Sequence, residues 1–217
     1  MGEGNQVSDS SVRKIVRRIL DHAVDGVRPM SGAAALARKY ELNRSYAGDD
    51  ARVDALIRWE ASKNFTSGFL TSLGGALTLP VTVPASLGAS WLLQARLSGA
   101  IAVLYGHGLH EERVRTLILL SLVGDSAKEI VKDVGIVVGK RVTLAAIERL
   151  PAKALGELNK TVGFRLLTKA GENGAVSLSK AVPFLGGLVG GSFDAAMCVA
   201  VGKTGKRIFR PGAELVP

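Results

Sequence analysis

The sequence predicts an all-α fold: one domain, a helical bundle of about eight helices with closely packed, Gly-rich central segments. Three observations lead there. Apolar residues recur at three- and four-residue spacing in one segment after another. No persuasive run of strict apolar/polar alternation, the signature of a strand, occurs. The chain carries 26 Gly in 217 residues, many inside apolar helical stretches rather than turns. A Gly costs a helix about 1 kcal/mol relative to Ala, and close backbone approach between helices is the compensation that pattern suggests. The length suits a single domain with a sizeable core.

In chain order, residues 1–10 read as a flexible polar arm, and Ser10 or Ser11 can cap a helix from Val12 to about Asp25. Val12, Ile15, Val16, Ile19 and Leu20 form its apolar face, with Arg13, Lys14, Arg17 and Arg18 around the other side. A second short helix starts near Ser31, and Asn43 to Asp50 is a loop. Asp49 or Asp50 then caps a helix running through Arg58-Trp59-Glu60 towards Phe65. No charged residue occurs between Lys63 and Arg96. Pro80 and Pro84 divide that run into two half-helices around an elbow, so either a buried hairpin or a re-entrant one fits. The second half, Ala85 to Gly106, places Gly88, Ala95, Gly99, Ala102 and Gly106 in a small-residue stripe. Arg96 within it argues against a simple transmembrane span.

Tyr105 to His110 reads as a turn, with Glu111 and Glu112 suited to the first turn of the following helix. His107 and His110 read as loop histidines, since no further ligand pattern accompanies them. Asp125 caps another helix, with Ile130, Val134, Val137 and Val138 inward. Pro151 opens the next, with Leu155, Leu158, Val162 and Leu166 inward, and AGENGAV (170–176) reads as a Gly-rich break. Pro183 is placed to start the final helix, where Gly186/Gly190 and Gly187/Gly191 form a glycine zipper. Asp194 is the single charge from Ala181 to Gly202 and calls for a buried base such as Arg96. The helix leaves through Lys203, Lys206, Arg207 and Arg210. Residues 211–217 read as a tail.

Two catalytic look-alikes fail on context. Gly202-Lys203-Thr204 ends like a phosphate-binding loop, but Met197 stands where the first Gly belongs, and the preceding residues read as helix. Ser177-Leu178-Ser179-Lys180 and Lys203-Thr204-Gly205 mimic a penicillin-binding enzyme, without the intervening S-D-N or a strand for the second motif. No nucleophile, base and orienter form a familiar pattern, and no cofactor or metal is expected. The net charge of +9 suits anionic partners. Nucleic acid is disfavoured: aromatic residues make up 5% and no recognition module is present. One cysteine, Cys198, fits a reducing compartment, and the start of the chain lacks a signal-peptide core. A cytoplasmic location is the expectation.

GFLTSLGGALTLPVTVP followed by LLQARLSGAIAVLYGHGL, and later AVPFLGGLVGGSFDAAMCVAVGKTGKRIFR, resemble the two signatures of the EcsC family, over about Trp59 to Arg210. The resemblance implies a domain over 11–210 and association with a membrane, in a family named for a component encoded with an ABC transporter. It implies no reaction. Where the family carries an acid in its Pro elbow this chain has Thr82, which implies that any role of that acid is lost here.

The expectation is a non-enzymatic helical protein at the cytoplasmic face, peripheral or partly inserted, that meets anionic membrane or lipid through its basic helix ends. The headgroup-binding residues are Arg13, Lys14, Arg17, Arg18, Lys203, Lys206, Arg207 and Arg210. Gly74, Gly75, Pro80, Pro84, Gly88, Gly99, Gly186, Gly187, Gly190 and Gly191 serve packing or insertion, and Arg96 and Asp194 are the buried-charge candidates. Two alternatives stand beside it: a soluble adaptor for a membrane-protein complex such as a transporter, and a pore-forming effector.

Overall fold

The computed structural model describes residues 9–65, 85–135, 147, 150–178 and 185–211. Eight α-helices run through them: α1 (Asp9–Asp25), α2 (Ala33–Glu41), α3 (Asp49–Phe65), α4 (Ala85–Leu104), α5 (Glu112–Leu122), α6 (Ala127–Asp133), α7 (Ala152–Leu178) and α8 (Leu185–Phe209). A two-residue antiparallel pair, β1 (Gly26–Val27) and β2 (Met30–Ser31), joins α1 to α2. The fold is an all-α bundle, as the periodicity predicts. The small hairpin is an addition, because two-residue strands carry no alternation to detect.

α4 is the axis of the bundle. It packs against α1, α2, α3, α5 and α8, and nearly every position from Gly88 to Tyr105 is buried. A helix apolar all round belongs in a core when its neighbours can cover it. Among the described residues, no helix is long and apolar enough to cross a membrane.

The outer helices bury one face each. Val12, Ile15, Val16, Ile19 and Leu20 of α1 are all buried. So are Leu155, Leu158, Val162 and Leu166 of α7. α1 begins at Asp9 rather than after residue 10, and the Asp9 carboxylate meets Lys160 of α7 at 2.5 Å.

AGENGAV does not break the chain: α7 continues through it to Leu178. The segment adds two of the four Gly in this helix of 27 residues, which weakens it without a Pro to remove a hydrogen bond, and propensity yields to the length of the element.

Close approaches occur at glycines, though not only at those the stripes single out. A Cβ at Gly99 would lie 2.9 Å from the Cβ of Ala33 in α2. At Gly163 of α7 it would run into Cγ1 of Val12, and at Gly202 of α8 it would lie 2.7 Å from Cγ1 of Ile57. Gly106 differs: a Cβ there would meet nothing within 4 Å, and its φ is +85°. Its role is to end α4. His107 N–H bonds back to Ala102 O at 2.9 Å and Gly106 N–H to Val103 O at 2.8 Å, the left-handed cap that favours Gly. Gly88 is buried in α4. Gly74, Gly75, Pro80, Thr82, Pro84, Pro183, Val137 and Val138 lie outside the described residues, as do the surroundings of Gly186, Gly187, Gly190 and Gly191 and the side chain of Asp194.

Candidate functional site

The basic residues singled out in the sequence fall into two groups with different surroundings. On α1, Arg13, Lys14, Arg17 and Arg18 are all exposed, on the face opposite the buried Val12–Leu20 stripe. Arg17 lies 3.9 Å from Asp21, an exposed pair of little weight. Asp21 also binds Arg115 of α5, which divides its charge between two cations. The α1 face therefore keeps a net positive field.

At the end of α8 the cations are partly spoken for. Lys206 Nζ is 2.6 Å from Asp54 and 4.0 Å from Asp50, and Arg210 Nη2 is 2.5 Å from Asp50 Oδ2. Tyr105 donates its hydroxyl to Asp50 at 2.6 Å. The acidic start of α3 thus meets the basic end of α8, each favoured by the helix terminus it occupies. His107 closes the same corner, with Nε2 2.8 Å from the carbonyl of Phe209 and its ring beside the Phe209 ring. Lys206 and Arg210, singled out in the sequence as headgroup ligands, here clamp the end of α8 to the start of α3. Arg207 bonds Thr204 at 2.9 Å but remains exposed, as does Lys203. α1 and α8 each pack on α4.

Arg96 is buried at 6% exposure, in keeping with its reading as a buried charge. Its partner is Glu60 of α3, also buried, with Nη1 3.6 Å from Oε2. Nε donates to Ser31 O at 2.6 Å and Nη2 to Ser31 Oγ at 3.1 Å, so one side chain fixes α3 and β2 to the axis helix. Lys63 reaches the other Glu60 oxygen at 2.9 Å. With these partners Arg96 is engaged by α3 and β2. Burial pulls the Arg96 guanidinium below its ordinary value, and Glu60 partly offsets this. Burial, then the Glu60 carboxylate, pushes the Tyr40 phenol up to about 12.

Beside this network lies an open cleft of about 390 Å³ lined by Tyr40, Tyr46, Ala55, Arg58 and Trp59. Tyr40 and Tyr46 stack with centroids 6.2 Å apart. Trp59 is 58% exposed, and Lys63 Nζ sits 5.4 Å from its ring centroid. Among the described residues Arg58 is exposed and has no hydrogen-bond or ion-pair partner. Sequence reasoning did not single out this cluster. The signal was present: the buried stripe of α3 runs Val53, Leu56, Ile57, Glu60, Ala61. An acid therefore occupies the core face and the adjacent Trp the solvent face, an exchange of polarity that local propensity does not explain.

No protein-family model, curated protein or solved structure matches the chain.

Proposed function

We propose that the protein is a non-enzymatic, membrane-docking helical protein that binds anionic phospholipid surfaces from the cytoplasmic side without spanning them. The observation that carries this reading is the α1 face: Arg13, Lys14, Arg17 and Arg18 exposed together over two turns, on a helix whose other face is buried. A base near an anionic leaflet contributes about 1 kcal/mol, so four give about 4 kcal/mol, enough for reversible attachment. The resemblance to the EcsC family supports the same setting. The close contacts of Gly99, Gly163 and Gly202 favour docking over insertion, because their partners are core side chains that would have to be abandoned in lipid.

The test is flotation with vesicles. Changing Arg13, Lys14, Arg17 and Arg18 to Gln should lower affinity for phosphatidylserine-containing vesicles roughly a hundred- to a thousandfold at low salt. The same substitution at Lys206 and Arg210 should do much less. Equal binding by the α1 variant and the wild type would remove this mechanism.

A further inference from the structure

We propose that the Trp59 cleft is a second lipid contact, in which the Trp59 ring enters the headgroup layer of a phospholipid membrane and Arg58 takes a lipid phosphate. The inference rests on the membrane-docking reading and adds to it a specific site outside the basic helix ends.

Four observations carry it. Trp59 and Leu42 are the large hydrophobic side chains exposed among the described residues, at 58% and 75%. An exposed Trp on an otherwise well-packed bundle is a cost in water, whereas the indole ring is at home where apolar and wet environments meet. Arg58 is adjacent in sequence, lines the same cleft and has no anionic partner among the described residues. A guanidinium recognises phosphate oxygens with paired donors. Tyr46, which also lines the cleft, adds a second ring with a polar tip. Finally, the cleft lies on α3 just before the run that carries no charge from Lys63 to Arg96. Polarity along the chain thus falls away directly after the aromatic–basic cluster.

A single-stranded nucleic acid would use similar residue types, but the geometry disfavours it. Base stacking needs several accessible rings along a basic groove. Here Tyr40 is buried against Tyr46, and Lys63 lies over Trp59. One indole and one free guanidinium suffice for a headgroup layer and not for a stacking platform.

Tryptophan emission tests the proposal, because Trp91 is buried in α4 at 8% exposure and Trp59 dominates any change caused by a ligand at the surface. The full-length protein is titrated with phosphatidylcholine–phosphatidylserine vesicles, with and without brominated acyl chains. The expected result is a blue shift and quenching by bromine placed near the headgroup end, both lost in Trp59→Phe. Trp59→Ala combined with Arg58→Gln should weaken vesicle binding about tenfold or more. Both residues are exposed, and an unchanged far-ultraviolet spectrum confirms that these variants fold.

Wild-type protein that floats with vesicles while its emission stays unshifted and unquenched would overturn the Trp59 site and leave the α1 reading standing. Protein that fails to float with any vesicle would overturn both. A blue shift produced by a single-stranded oligonucleotide and not by vesicles would overturn the lipid assignment of the cleft.

Discussion

Glu60 and Trp59 are neighbours in the chain whose environments are the reverse of their chemistry. Glu60 is buried at 6% exposure beside Arg96, and Trp59 is largely exposed. Breaking a buried ion pair by removing one partner leaves the other charge uncompensated, at a cost of about 3–5 kcal/mol. Glu60→Ala should therefore lower the urea midpoint by a corresponding amount, while Trp59→Ala leaves it nearly unchanged. Denaturation of the two variants side by side checks the contrast. Two phenols make a second, pH-dependent prediction. Tyr40 is raised to about 12 by burial and then Glu60, and Tyr105 is raised by burial and then its hydrogen bond to Asp50. A raised phenol pKa means that the folded state holds its proton more tightly than the unfolded state. The stabilisation is complete below the ordinary value of 10.0 and is lost as pH rises from there towards about 12. Unfolding followed across that window, with tyrosinate absorbance as the readout, should show stability falling; a flat profile would contradict it. In the sequence, Arg96 stood out as a charge in an apolar helix. Glu60 did not, because its partner is 36 residues away and pairing at that distance leaves no local pattern.

At the scale of elements, helix identity was legible where apolar spacing was strong. The buried residues of α1 and α7 are those the three- and four-residue spacing selects. Glycine was read less well, because one residue type serves two purposes. Gly106 belongs to a spacing that suggests a packing stripe, yet its positive φ terminates α4. Gly163 belongs to no stripe, yet it admits Val12 and Val16 of α1. Only the identity of the facing helix separates the two cases, and that is a tertiary fact. Gly163→Ala should destabilise by about 1 kcal/mol, since overpacking costs about 1–3 kcal/mol and improved helix propensity returns about 1. Adding Val12→Ala should recover part of the contact term. A double-mutant cycle by thermal unfolding measures the coupling, and strict additivity would show that the two side chains do not compete for that space.

For the whole molecule, the net charge of +9 is unevenly spent. Part of it closes the fold: Lys206 and Arg210 clamp the end of α8 to the acidic start of α3. Part of it is exposed on α1, and part lies beside Trp59. The all-α architecture and the α1 face were readable because both follow from periodicity along one helix. The clamp was not, because it joins Asp50 and Asp54 to Lys206 and Arg210 across most of the chain; the aromatic cleft, gathered from residues 40–59, was not, because it depends on which face of α3 its neighbours leave uncovered. The central claim is electrostatic docking without insertion, and co-sedimentation with vesicles tests it most directly. Wild-type protein is mixed with neutral or phosphatidylserine-containing vesicles at low and high salt, and the pellet is then washed with alkaline carbonate. Docking predicts strong binding only to anionic vesicles at low salt, with release by salt and by the wash. Binding that ignores lipid charge and survives both treatments would contradict it.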